Sequence, residues 1–387
     1  MYKHFFILLI LCIVGFELIA QQSDSLDTKK TSFKYKGELS AWVHVNTENP
    51  YPMYIGGRYI PQLNLEIPLI KMRMIDFELS ANIYGTGGIQ FFDSASFSGD
   101  VKPYRGWARY STKQFEFRVG LQKIDFGTAT MLRPLRWFDQ IDPRDPLQLT
   151  SGVWGGLARY YFLNNTNIWV WGLYGNKNPK GMEVMKSIST IPEFGGRIQT
   201  PIPRGEAGIS YHHRIADPSD FVGLSALYDE IPENRIGIDA KWDLFVGLWF
   251  EGSWVSKSKD VGNLTNQELF TIGTDYTFGI GSGLNVTLEH MLSSFDKEAF
   301  SFSKTTNFTA LSIRYPIGVF DNLNVILYYD WTNNLMYNFI NWYRQFDKYT
   351  LYIMGYWNPK ANKLPTMGPE ENLYGGVGIQ LMFALNH

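Results

Sequence analysis

The sequence predicts an all-β chain, a transmembrane antiparallel up-and-down β-barrel of about 18 strands, with about 16 as the alternative count. Three observations predict it: apolar and polar residues alternate along almost the whole chain, its connections alternate between long and short, and its N-terminal leader routes it out of the cytoplasm. Composition narrows the function classes. Charged residues make up 19% and aromatic residues 16%, against roughly 25% charged residues in ordinary soluble proteins. A net charge of −2 supplies no basic field for nucleic acid. A single cysteine excludes a disulfide scaffold.

The leader comes first. Residues 1–20 read as a secretory signal peptide: Lys3 and His4 form a weak basic start, Phe5 to Phe16 an apolar run, and Ala20 a small residue before the cut. An uncleaved anchor is the alternative. Residues 21–32 make a short polar segment, and residues 33–387 the barrel. After residue 20 no stretch approaches the ~18 apolar residues a spanning helix needs. A closed barrel is the other structure that satisfies every backbone hydrogen bond in lipid.

The strands follow from the alternation. In the first, Phe33, Tyr35, Leu39, Val43 and Val45 share one face, and Lys34, Lys36, Glu38, Ser40, Trp42 and His44 the other. The pattern recurs in Ile75, Phe77, Leu79 and Ile83, in Phe115, Phe117 and Val119, in Ile236 and Ile238, and in Phe270, Ile272, Tyr276 and Phe278. Strands of about 9–13 residues match a tilted crossing of a bilayer and exceed the five or six usual in sandwiches. Aromatic residues gather near strand ends, as at Trp169, Trp171, Tyr328, Tyr329, Tyr356 and Trp357.

The connections follow from the gaps. Those at 46–57, 85–103, 123–152, 175–194, 215–233, 256–266 and 293–304 are long, and those at 68–71, 111–113, 163–166, 200–204, 242–243, 279–283 and 316–322 are short. A smaller outer loop, a strand at 337–346, a turn at Asp347-Lys348, a strand at 349–357, a loop at 358–372 and a final strand at 373–383 complete the count. Phe221 to Tyr228 falls inside an outer loop, because a strand there would break the alternation. Gly376, Gly378, Leu381 and Phe383 resemble the last strand of outer-membrane barrels, which the barrel-assembly machinery recognises. The resemblance implies a strand ending at Phe383, with outer-membrane lipid and that machinery as partners.

The third outer loop, 123–152, is long and apolar. Met131, Leu132, Leu135, Trp137, Phe138, Ile141, Leu147 and Leu149 need burial, which an inward fold into the lumen supplies. Strand phase turns Arg105, Trp107, Arg109, Arg118, Arg159 and Arg197 inward as pore-lining candidates, a guanidinium ladder opposite Asp139, Asp142 and Asp145. Arg144 belongs to the same constriction loop, stiffened by Asp142-Pro143 and Asp145-Pro146. Rings of arginine favour anions. The structural reading is that the same charges pair to hold the loop in place. Trp107, Trp137 and Tyr161 are candidate flat surfaces for sugar rings, with core packing the plainer role for Trp137.

The stretch Arg118-Val119-Gly120-Leu121-Gln122-Lys123, with Phe126-Gly127 and Leu132-Arg133-Pro134, resembles outer-membrane porin-like barrels of the alginate-export type. The resemblance implies a barrel of about 18 strands with an arginine-rich lumen that passes anionic polysaccharide or small organic acids. It carries over here as a passive, anion-tolerant channel for small polar solutes.

Other chemistries leave weaker traces in the sequence. Ser210 and His212 share an inward strand face, and a lipid hydrolase would need a third, orienting residue. His212 and His213 face opposite sides and cannot chelate one ion. Asp142 and Asp145 offer oxygen ligands to Ca²⁺, and Gly85-Thr86-Gly87-Gly88 lacks the helix and lysine of a phosphate loop. No plug domain precedes the first strand, which disfavours a TonB-dependent receptor. The expectation is therefore an outer-membrane channel with no cofactor, no metal and no catalytic residue. The alternatives are a non-conducting scaffold of a secretion or surface-assembly complex and, behind it, an outer-membrane lipid hydrolase.

Overall fold

The computed structural model describes residues 30–47, 53–70, 72–90, 93–359 and 374–387. The leader expected over 1–20, residues 21–29 of the 21–32 segment and most of the 358–372 loop lie outside the described residues. Eighteen strands form one sheet. In the first half they are β1 (Ser32–Asn46), β2 (Met53–Leu69), β3 (Arg73–Gln90), β4 (Ser94–Ser111), β5 (Phe115–Gln122), β6 (Val153–Tyr161), β7 (Asn167–Leu173), β8 (Glu193–Ile202) and β9 (Gly205–Ala216). In the second half they are β10 (Ile231–Asp243), β11 (Gly247–Lys257), β12 (Asn266–Phe278), β13 (Leu284–Asp296), β14 (Thr305–Pro316), β15 (Asp321–Asp330), β16 (Leu335–Gln345), β17 (Tyr349–Trp357) and β18 (Val377–Asn386).

Each strand pairs antiparallel with its neighbours in sequence, and β1 also pairs with β18, so the sheet closes on itself and leaves no open edge along its body. Alternation sets the two faces. Leu39, Val43, Leu79, Val119, Ile238, Ile272, Leu288, Ile353 and Leu381 stand exposed on the outside. Asp76, Gln122, Arg197, Glu251, Glu289 and Asp330 are buried inside. A sheet that is apolar outward and polar inward is the inverse of a water-soluble core. It is the arrangement of a barrel that crosses a membrane. Among the described residues no helix is long and apolar enough to do so.

Several boundaries differ from the sequence reading: β2 begins at Met53, inside the expected 46–57 gap, and the last strand begins at Val377 rather than at 373. The 85–103 segment is not an open loop, because β3 and β4 continue as a tall hairpin through it, with Gly85 opposite Gly99 and the Phe97 ring against Gly85. Gly85 and Gly99 sit where the facing strands approach closely, and the Phe97 ring covers the gap. The last strand does not stop at Phe383. It runs to Asn386, and the backbones of Gly37 and His387 exchange two hydrogen bonds of 3.0 Å. The ladder extends because Ala384 and Leu385 find partners on both β17 and β1. Phe221–Tyr228 lies between β9 and β10 as a loop holding one short helical turn, Val222–Ser225.

Candidate functional site

The loop at 123–152 folds into the lumen, and two wall carboxylates hold it there. Glu251 on β11 accepts the backbone N–H groups of Thr128 (2.8 Å), Ala129 (2.9 Å) and Leu135 (2.6 Å). Glu289 on β13 accepts those of Thr130 (2.6 Å), Met131 (2.9 Å) and Leu132 (2.6 Å), and also the Trp249 indole N–H at 3.1 Å. Thr271 donates its hydroxyl to the Leu132 carbonyl at 2.8 Å. Gly127 makes this wrap possible. Its φ is +105°, and a Cβ there would meet the Glu251 carboxylate at 2.5 Å.

Apolar packing seals the loop on two sides. Met131 and Leu132 join Met291, Phe308, Ile326, Tyr328, Tyr337 and Tyr356 of the β13–β17 wall. Leu135, Trp137 and Phe138 join Phe126, Val153, Leu157, Trp171 and Leu173 on the β6–β7 side. The loop begins at a bend: Gly120 has φ +123°, and a Cβ there would strike the Gly106 carbonyl oxygen at 2.1 Å. Beyond it Leu121 and Gln122 are both buried, which ends the simple alternation of β5.

A second loop, between β7 and β8, backs the first. Gln140 donates to the Gly181 carbonyl at 3.3 Å. Glu183 bridges Lys180 (3.2 Å), Arg214 (3.4 Å) and Arg235 (2.7 Å). Burial acts to raise the Glu183 carboxyl, but Arg214, Lys180 and Arg235 outweigh it and hold it below the usual carboxylate range.

The expected arginine ladder is present but faces different partners. Arg109 binds Asp76 at 2.6 Å and Glu116 at 3.4 Å, Arg118 binds Glu116 at 3.0 Å, and Arg159 approaches Glu116 at 3.8 Å. The guanidinium groups of Arg109 and Arg118 lie 5.4 and 4.6 Å from the Trp107 ring centre, and that of Arg159 lies 3.9 Å from Trp169. Arg197 pairs with Asp239 at 2.5 Å. Two of the six wall candidates reach the loop: Arg105 through Thr150, and Arg197 over the Phe126 ring at 5.3 Å.

The loop aspartates do not oppose these arginines. Asp142 pairs with Arg144 of its own loop at 2.6 Å, Asp139 lies 3.6 Å from Lys123, and Asp145 accepts the N–H groups of Leu147 and Leu149. The reason is reach: each aspartate has a nearer local donor than a guanidinium on the wall. Burial raises the carboxyls of Asp139 and Asp145 and lowers the Arg136 guanidinium to about 10. Arg144 lies 4.8 and 5.0 Å from the ring centres of Phe339 and Tyr374, tying the loop tip to the far wall.

Below the loop tip, toward the short-turn rim, is a space of about 670 Å³ against β12–β17. Its wall carries Asn285, Asn322, Asn324, Asn341, Tyr343 and Tyr352, with Arg314 among them and Ile326, Phe339 and Met354 as apolar neighbours. Sequence reasoning missed this wall, and also Glu251 and Glu289. The available signals were asparagines at alternate inward positions in the short-turn half of β15 and β16, and a lone acid at an inward mid-strand position in β11 and β13. Ser210 and His212 do not bond to each other: Ser210 accepts from Arg197 at 3.1 Å, and His212 contacts Glu193 at 3.1 Å and Trp171 at 3.2 Å. Among the described residues no group of acidic, histidine or cysteine side chains is placed to hold a metal ion.

A closed antiparallel barrel of 18 strands with a loop folded into its lumen is porin-like in architecture. The fold is similar to that of Acinetobacter baumannii OccAB4, at a TM-score of 0.55 and 9% identity over 93% of this chain and 99% of that one. Salmonella typhi OmpF in complex with daunomycin gives a TM-score of 0.49 at 9% identity, covering 92% of this chain and 97% of that one. An anion-selective porin from Comamonas acidovorans gives 0.48 at 12% identity, covering 92% and 100%. At such identities the likeness is one of fold. No family model and no curated protein matches the chain.

Proposed function

We propose that the protein is an outer-membrane diffusion channel for small polar solutes, narrowed by its third loop. The observation that supports this most is the capture of that loop inside a closed, outward-apolar barrel by Glu251 and Glu289. A loop pinned across the lumen by buried carboxylates restricts passage without closing the wall. The alginate-export-type resemblance has its support in the same place, since residues 118–134 build the bend and the anchored segment. On this reading the small polar solute and outer-membrane lipid are the partners, and the assembly machinery acts on the C-terminal strand.

Anion preference is weak on this reading. Arg109, Arg118 and Arg159 share Asp76 and Glu116, so the arginine wall is largely neutralised. The dense packing of Trp137, Phe138 and Met185 across the outer half also supports a second reading, a non-conducting scaffold. Planar-bilayer conductance of the purified protein in a salt gradient decides between them. Discrete openings with a small reversal potential support the channel, and silence under all conditions supports the scaffold.

A further inference from the structure

We propose that the space beneath the loop tip is a binding site for an uncharged hexose-type sugar ring. This deepens the channel reading and rests on it for the solute's route, but not for the binding event. Two rows of inward side chains cross the β13–β17 wall. In one, Asn285 stands opposite Arg314, Arg314 opposite Asn324, and Asn324 opposite Asn341. In the next, Asn322 stands opposite Tyr343, and Tyr343 opposite Tyr352, with ring centres 5.7 Å apart.

A carboxamide carries both a donor group and an acceptor oxygen, as a sugar hydroxyl does, so each asparagine can answer a hydroxyl in either sense. Paired tyrosines offer apolar ring faces with polar tips, which suit the C–H face and the rim of a pyranose. Ser312 donates to Asn324 at 3.2 Å and Asn285 donates to Thr277 at 3.1 Å, which fixes how those amides present themselves. The volume, about 670 Å³, lies in the range of roughly 300–1,000 Å³ typical of small-molecule sites. Charge argues for a neutral ring. Arg314 on the wall and Asp145 on the loop border the space with opposite charges, and a further cation there, Arg144, is paired with Asp142 at 2.6 Å, so neither sign prevails.

The test is saturation-transfer NMR on the full chain in detergent micelles, with methyl glucoside and glucuronate as probes of one ring size and different charge. The expected result is saturable transfer to methyl glucoside at millimolar concentration, weaker for glucuronate, and reduced at least tenfold by Asn324→Leu with Asn341→Leu. Heat-modifiable gel migration reports whether that variant keeps a closed barrel. Asn341→Asp, which preserves size, serves as a second variant and is expected to weaken methyl glucoside binding as well. Absence of transfer to methyl glucoside, transfer unchanged in the folded variants, or tighter binding of glucuronate would each overturn the site. Binding without conductance would instead remove the channel reading and leave the site standing.

Discussion

The strands β13 to β17 have two halves that share a backbone and differ in most of what their inner faces touch. Toward the long loops, Met291, Phe308, Tyr328, Tyr337 and Tyr356 are buried against Met131 and Leu132. Toward the short turns, the same strands present Asn285, Arg314, Asn324, Asn341 and Tyr352 to open space. The difference shows that strand phase decides only which side chains point inward. Whether an inward position is apolar or polar depends on whether a loop or water meets it. A barrel lumen is therefore two environments stacked along one set of strands, a packed one that resembles a protein core and a wet one that resembles a surface.

The largest expected effect comes from breaking the packed half. Glu289→Ala strips charge-assisted hydrogen bonds from the Thr130–Leu132 backbone. At about 1.5–3 kcal/mol each for bonds to charged groups, losing them weakens loop docking by at least about 3 kcal/mol. Single-channel conductance rises, and trypsin cuts after Arg136, which the parent chain resists. Unchanged conductance and an intact loop would mean the carboxylate anchors nothing.

Arg144→Ala acts at the boundary between the halves, where the guanidinium spans Asp142, Phe339 and Tyr374. Losing the ring contacts and the ion pair costs about 1–2 kcal/mol. The tip then flickers, which is read as added open-channel noise without loss of the barrel on heat-modified gels.

A third change sharpens the contrast in charge. Glu116→Gln removes the carboxylate shared by Arg109, Arg118 and Arg159. The reversal potential in a salt gradient shifts toward anions, by roughly twofold in permeability ratio, because uncompensated arginines favour anions. A shift toward cations would contradict the pairing.

The smallest effect is one of pH. The Asp145 carboxyl is raised by burial in the docked loop, so the docked state binds its proton more tightly than a free loop does. Its contribution to docking is full below the ordinary carboxylate range and is lost as pH rises through the raised value. Acidification therefore tightens the loop and lowers conductance. The part due to this group vanishes in Asp145→Asn. Asp125 opposes it: burial acts to raise that carboxyl, but Arg133 and Lys123 outweigh burial and hold it low, so its contribution is lost on acidification.

Much of the barrel was legible because membrane crossing imposes a strict period and length. Phe33 to Val45, Ile75 to Ile83 and Phe270 to Phe278 each declared their outward face. The third loop was legible because Trp137 and Phe138 have no reason to stand in water. Its anchors were not, since an isolated glutamate such as Glu251 reads like any other lumen residue until a distant backbone is seen to meet it. The arginine partners were missed for a related reason. Strand phase shows that Arg109 points inward, but register between strands decides that Asp76 lies directly opposite.

The seam between β1 and β18 carries a practical consequence. Three of its nine backbone pairings, Glu38 with Asn386, Leu39 with Leu385 and Ser40 with Ala384, use residues that follow Phe383. Trimming the chain back to Phe383 would loosen the zip. Such a product would keep its first and last staves only partly joined.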